Sequence, residues 1–335
     1  MNQPLNLDRI ADAVESGEST RTVLVALATN AVVAAAKTVA AVVSGSASML
    51  AEAAHSWADT GNEVFLLIAD RRSKRPADAR HPLGHGREAY VWALLAAVGI
   101  FVTGASVSVW HGISTLLRGE SNQGDYRPAY IVLATALVME GFSLLQAVRQ
   151  LRGEARLYHR DLLEHTMATS DPTTRAVFAE DTAAVIGIVI AFLGIGLYQL
   201  TGNAMWDAVG SILVGVLLAV IAVLLIDRNR RFLTGEPGSG ELNDAVVARI
   251  RQLPDVADVR FVRLVYVGPK RLFLVASVDL VGDQVESHVA RTLRRLERDL
   301  KADPHFADAV LTIAEPDEED PDEEDDVGGN PGGVQ

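Results

Sequence analysis

Cysteine is absent from this sequence. That excludes a disulfide framework and a thiolate metal site, so any metal must be held by His, Asp, Glu, main-chain oxygen or water. The N-terminus also lacks a basic segment followed by a short apolar run, and it is not an Arg-rich, acid-poor presequence. No cleaved targeting segment is expected. Nor does the C-terminal third contain a nucleophile–base pair, a phosphate loop or a cofactor fingerprint, which argues against an enzyme. The net charge of −13 points to basic partners only at first sight, because much of it lies in the tail 315–326, EPDEEDPDEEDD. Without that tail the chain is much closer to neutral, and nucleic acid is not implied.

What is present is apolar length. Of the 335 residues 49% are hydrophobic and the mean hydropathy is positive, which is high for a soluble protein. Six apolar stretches occur near 22–43, 48–69, 91–117, 129–149, 176–200 and 205–226. Each approaches the ~20 residues needed to cross ~30 Å of hydrocarbon. They predict an all-α six-helix transmembrane domain in the lipid bilayer, the first two spans forming a tight hairpin at Ser44-Gly45-Ser46. Lys and Arg concentrate in the second-to-third link (Arg71, Arg72, Lys74, Arg75, Arg80, Arg87), in the fourth-to-fifth link (Arg152, Arg156, Arg160) and after the sixth span (Arg228, Arg230, Arg231). The opposite loops hold little beyond Arg118 and Arg127. Both termini and both basic loops are therefore expected on the cytoplasmic side, in a multi-pass protein of the cell (inner) membrane.

After the linker-like GEPGSG at 235–240 the pattern changes to a helix at 242–253, an alternating strand at 256–267, a turn at Gly268-Pro269 and a strand at 271–281. A basic amphipathic helix at 285–300 and a strand at 309–314 complete it. The order α-β-β-α-β predicts a small ferredoxin-like α+β domain. The expected divisions are a cytoplasmic N-terminal segment (1–20), a transport domain (21–228), a linker (229–240), a cytoplasmic dimerisation domain (241–316) and a disordered acidic tail (317–335).

Polar residues within the spans are few. They include Asn30 and Lys37 in the first, Glu52, His55, Asp59, Asn62 and Glu63 in the second, Glu140 in the fourth, Glu180 and Asp181 in the fifth and Asp207 in the sixth. Glu140 and Asp207 read as structural hydrogen-bond partners for neighbouring helices. His55 and Asp59 read differently: four residues apart, they lie about 40° from each other around a helix and can converge on one point. A central Asp costs about 2.5–3.5 kcal/mol to insert, and a divalent metal would neutralise several at once. An imidazole with carboxylates suits tetrahedral Zn²⁺, whereas an all-oxygen set suits Mn²⁺ or Mg²⁺. The loop ADARHPLGHGR supplies Asp78, His81 and His85 as a possible second site.

Asn30 and Lys37, the run SGSASMLAEAAHSWAD from Ser44, HPLGHGRE from His81 and WDAVGSILVG from Trp206 together resemble the cation diffusion facilitator family of metal transporters over about residues 20–316. The family's transport site is similar to a cage of two H/D-x-x-x-D pairs. His55 and Asp59 match the first pair and Asp181 the last member of the second. Val177 stands where the remaining ligand belongs, with Glu180 as a new acidic neighbour. The segment DPTTRAVFAEDTAAVIG from Asp171 looks like the branch that includes the mitochondrial zinc transporter of animals. The resemblance implies either three protein ligands plus water, or recruitment of Glu180 through a helix rotation of about 100°. It further implies zinc at a loop site of Asp78, His81 and His85, and a homodimer through the cytoplasmic domain. Val275 and Ile313 occupy strand positions that often carry His in that domain, and His288 reads as structural. The expected function is Zn²⁺/H⁺ antiport exporting zinc. The rivals are a Mn²⁺, Fe²⁺ or Co²⁺ transporter of the same fold and a non-transporting scaffold or metal sensor.

Overall fold

The computed structural model describes residues 20–118, 124–157 and 161–314, with side chains from residue 27 onward except at 157. The expectations for the N-terminal segment, for Arg160 and for the acidic tail lie outside the described residues. The described residues divide into two compact units, one of residues 20–75 with Arg87–Thr234, the other of Pro76–Gly86 with residues 235–314.

The first unit is helical. Its elements are α1 (Thr20–Ser44), α2 (Ala47–Ser73), α3 (Glu88–Gly99), a π-helical stretch (Ile100–Ala105), α4 (Ser106–Arg118), α5 (Arg127–Leu157), the short α6 (Leu162–Ala168), α7 (Pro172–Thr201) and α8 (Met205–Thr234). Among the described residues five helices are long and apolar enough to cross a membrane: α1, α3 continuing into α4, α5, α7 and α8. Helix α2 has the length, 27 residues, but Glu52, Asp59, Glu63 and Asp70 make it too polar to qualify on composition. Large apolar side chains such as Val42, Trp110, Leu117, Val138, Phe142 and Leu200 are exposed on the outer faces of the other helices. That is the reverse of a soluble domain and the surface expected against lipid. The chain is a multi-pass membrane protein.

Helix α2 is packed between two apolar clusters. One joins Ala40 and Ala41 of α1, Leu133 and Ala136 of α5 and Ile188 and Ile195 of α7, with Met49 of α2 inside it. The other joins Ala51 and Ala58 of α2 with Ala97 of α3, Ile100 of the π-helical stretch and Val214, Leu218 and Ala222 of α8. The buried face of α2 is largely Ala and Ser, so neighbouring backbones approach closely, and α8 matches it with Gly210 against Ser48.

The ends of these helices follow from local chemistry. Ser46 caps α2 by accepting the Met49 amide at 3.1 Å. Asp171 caps α7 through Thr173 N at 2.9 Å, with Pro172 as the first helical residue. Gly202 ends α7 in the left-handed region at φ +70°.

In the second unit, α9 (Gly240–Arg251), β1 (Val256–Gly268), β2 (Arg271–Leu280), α10 (Glu286–Lys301) and β3 (Phe306–Ile313) form a three-stranded mixed sheet in the order β1-β2-β3. β1 and β2 run antiparallel and pair Gly268 with Arg271 across a two-residue turn, in which Lys270 takes φ +56°. β2 and β3 run parallel, and α10 supplies the long crossover that a parallel pair needs. Leu242, Val246 and Ile250 of α9 and Leu296 and Leu300 of α10 pack with Leu274, Ala276 and Val278 of the central strand. The segment Pro76–Gly86 lies against this domain. A Cβ on Gly86 would meet the Val267 carbonyl oxygen at 2.5 Å and Gly268 Cα at 2.8 Å.

Candidate metal centre

Helix α2 carries Glu52, His55, Asp59 and Glu63 at spacings of three and four, so one face presents a ladder of ionisable groups about 16 Å long. His55 is 1% exposed, and its Nε2 lies 3.2 Å from Asp59 Oδ2. The pair lacks the alignment of a hydrogen bond. Both ring nitrogens of His55 and Oδ1 of Asp59 are buried without a hydrogen-bond partner, which is the condition of donor atoms available to a ligand.

Across from this pair stands α7. Its buried stripe runs Ala176, Glu180, Ala183, Ala184, Gly187, Ile188, Ala191, and Glu180 belongs to it. Asn62 of α2 donates to Glu180 Oε1. Val177, at the position where a ligand was expected, is 37% exposed and its side chain has no atom that can ligate. Asp181, at the edge of the stripe, accepts from Ser143 Oγ of α5 at 2.7 Å. Glu140, one turn before Ser143, lies within electrostatic reach of Asp59, Glu180 and Asp181. The helices thus bring His55 and Asp59 together, and bring Glu180 and Asp181 into the same electrostatic neighbourhood. Among the described residues, these groups do not place three ligand atoms within the few ångströms a single ion requires.

Asp78, His81 and His85 do so. One donor atom from each lies within 4.8 Å of the others. His81 Nδ1 is 3.1 Å from Asp78 Oδ1 and His85 Nε2 is 3.2 Å from Asp78 Oδ2. The two rings are tilted together at 4.0 Å between centroids. The loop is folded locally: the amides of Arg80 and His81 both donate to Asp78 Oδ1 at 2.8 Å, and Gly84, at φ +81°, permits the bend after His81. Those backbone donors, with His85, hold the Asp78 carboxyl well below the usual carboxylate range. Two imidazoles and an anionic carboxylate are a donor set that fits zinc.

Of the remaining polar residues singled out in the sequence, Asp207 has buried hydrogen-bond partners. Asp207, at the start of α8, accepts from Ser46 Oγ at 2.7 Å, from the Ala47 amide at 2.6 Å and from the Ser48 amide at 3.1 Å, placing a carboxylate on the positive end of α2. His288, in the first turn of α10, is exposed.

Sequence reading enumerated Glu52, Lys37, Asn30, Asn62 and Glu63 without partners, and overlooked Ser143. The structure pairs Lys37 Nζ with Glu52 Oε2 at 3.0 Å and Asn30 Nδ2 with Glu63 Oε1 at 2.5 Å. A usable signal existed in the hairpin: with its turn at 44–46, residues about equally far on either side must face each other.

The family model described as cation efflux transmembrane domain matches residues 23–234. The human proton-coupled zinc antiporter SLC30A9, mitochondrial, is 35% identical over 262 residues, covering 78% of this chain and 46% of the relative. Metal tolerance protein C4 of Arabidopsis thaliana is 33% identical over 252 residues, 75% of this chain and 55% of its own length. Zinc transporter ZitB of Escherichia coli is 28% identical over 228 residues, 68% and 67% of the two chains. The chain spans about half the length of the first two of these relatives.

Proposed function

Because the chain belongs to the cation efflux (cation diffusion facilitator) family, we propose that it is a Zn²⁺/H⁺ antiporter that exports zinc from the cytoplasm. The family is one of transporters rather than enzymes. The transport site is His55, Asp59, Glu180 and Asp181, and α2 is a sixth crossing whose polar groups face the other helices. The observation that carries this reading is the His55–Asp59 pair, 3.2 Å apart with buried donor atoms left unbonded. Intramembrane groups of that kind mark a substrate pathway.

In this reading Glu180 takes the place that Val177 cannot fill. Its burial on the inward stripe of α7 and its bond from Asn62 favour that assignment. Zinc entering between α2 and α7 displaces protons from His55 and the carboxylates. The helix pairs rock against one another, and protons from the far side release the metal. Imidazole is suited to this because its unperturbed pKa of about 6.5 is near physiological pH and it must be neutral to bind metal. The loop residues Asp78, His81 and His85 hold a further zinc ion. The second unit is a ferredoxin-like dimerisation domain at 241–316 after a linker at 229–240. The protein works as a homodimer in the cell (inner) membrane, with both termini cytoplasmic.

An oxygen-rich α7 contribution, Glu180 with Asp181, also favours harder cations, and Mn²⁺, Fe²⁺ or Co²⁺ is the second reading. Proteoliposomes containing the full chain, loaded at acidic internal pH, test both. Zinc uptake dissipating the proton gradient, lost in Asp59→Ala, supports the proposal. Manganese uptake with zinc ignored gives the second reading, and retained uptake in Asp59→Ala removes the assigned site.

A further inference from the structure

Lys37 and Glu52 are both 0% exposed, with Nζ and Oε2 3.0 Å apart. A fully buried ion pair contributes little to stability compared with an apolar pair of the same volume, so its presence calls for another explanation. Its position supplies one. Glu52 is one helical turn before His55 on the inner face of α2, and its second oxygen, Oε1, is buried without a partner. A Cβ on Gly187 of α7 would collide with that oxygen, so the carboxylate is fixed between α2 and α7, the two helices that carry the proposed ligands. Lys37 is also the cation that both His55 and Asp59 feel electrostatically. Arg175, another buried cation, is occupied elsewhere: its Nη2 donates to the Thr169 carbonyl at 3.1 Å and its guanidinium stacks over Phe232.

We propose that Lys37 is a tethered counter-cation of the transport site, with Glu52 as its holder, and that the pair sets how tightly the divalent ion is held. The ammonium is carried by the chain and cannot leave. It opposes the incoming dication and weakens its hold, so that the ion can be released on the far side. Glu52 offsets part of that repulsion and keeps Lys37 from reaching Asp59. This role positions charge, without ligation, and it rests on the transport reading above.

The two members of the pair must act on zinc with opposite signs. Removing a unit charge roughly 10 Å from a divalent ion, at an effective dielectric of about 40, changes affinity on the order of tenfold. The test uses the full-length protein in proteoliposomes, with zinc dissociation constants and uptake kinetics measured for each variant. Lys37→Met is expected to bind zinc about tenfold more tightly while its maximal uptake rate falls, because release slows. Glu52→Gln is expected to bind zinc about tenfold more weakly. Lys37→Arg, and the double variant Lys37→Met with Glu52→Gln, are expected to bind close to wild type. A pair serving only to hold α1 to α2 would weaken binding in both single variants. Shifts of the same sign, or no shift in a folded variant, overturn the inference; should Lys37→Met fail to fold, the double variant decides, binding near wild type supporting the inference and weakened binding overturning it. Wild-type uptake is the separate control: its absence removes the transport reading, whereas the opposed binding shifts are read without transport.

Discussion

Replacing Asp207 by Ala tests whether an intramembrane carboxylate can be purely architectural. The side chain accepts three buried hydrogen bonds, from Ser46 Oγ, Ala47 N and Ser48 N, all at the start of α2. Alanine leaves these donors with no acceptor, at about 1–3 kcal/mol each, and removes an anion from the positive helix end, up to ~2 kcal/mol in a partly buried geometry. Partial relaxation of the turn at Ser44–Ser46 lowers the sum, so a loss of about 3–5 kcal/mol is expected. At ~2–4 °C per kcal/mol for a body of this size, the thermal midpoint should fall on the order of 10 °C. Asp207→Asn keeps the shape and one acceptor and should lose about half as much. Thermal unfolding in detergent, followed by tryptophan fluorescence, measures this, alongside zinc binding well below the transition. Binding should stay near wild type, since Asp207 bonds α2 about two turns from His55. An unchanged midpoint with zinc binding abolished would place Asp207 in the metal pathway and refute the architectural reading.

Other expectations follow from the same geometry. Glu180→Gln should cut zinc uptake by at least about tenfold while Val177→Ala leaves it near wild type, measured as initial rates in proteoliposomes. His85→Ala should remove one tightly held zinc per chain in equilibrium dialysis without abolishing uptake. The depressed pKa of Asp78 means that its bonds are fully present above the ordinary Asp range and are lost only as pH falls through the lower folded value. Hydrogen-exchange protection of the Arg80 and His81 amides should therefore stay level from pH 7 to about 5, and Asp78→Asn should lower it throughout. Gly86→Ala, which forces a Cβ against the Val267 carbonyl oxygen, should cost about 1–3 kcal/mol of overpacking and expose residues 76–86 to proteolysis.

Long apolar runs made the helical unit legible, because hydrocarbon admits few alternatives for a backbone that must satisfy its own hydrogen bonds. The alternation at 256–267 and 271–281 likewise anticipated β1 and β2, while β3 begins at Phe306, three residues earlier than its apolar pattern suggested. The loop residues Asp78, His81 and His85 were visible as a cluster because they are close in sequence. Glu180 was not decidable, since one sequence does not fix how α7 is rotated about its axis. Packing of Ala183 and Gly187 against α2 and α8 and of Ile188 against α1 and α5 sets that rotation, which leaves Glu180 buried. The π-helical stretch at Ile100–Ala105 was equally hidden: it inserts an offset between the faces of α3 and α4 that no hydropathy profile records.

The bonds from Asp207 to the start of α2 have a topological consequence. They tie the first residues of α8 to the first residues of α2, so both helices begin at the same side of the bilayer. A chain returns to the side it left only after an even number of crossings. Between those two points run α2, α3 continuing into α4, α5 and α7. The three apolar ones give an odd count, and parity is restored only when α2 is itself a crossing. A single hydrogen-bonded carboxylate thereby agrees with the six spans proposed above, where hydropathy counts five among the described residues.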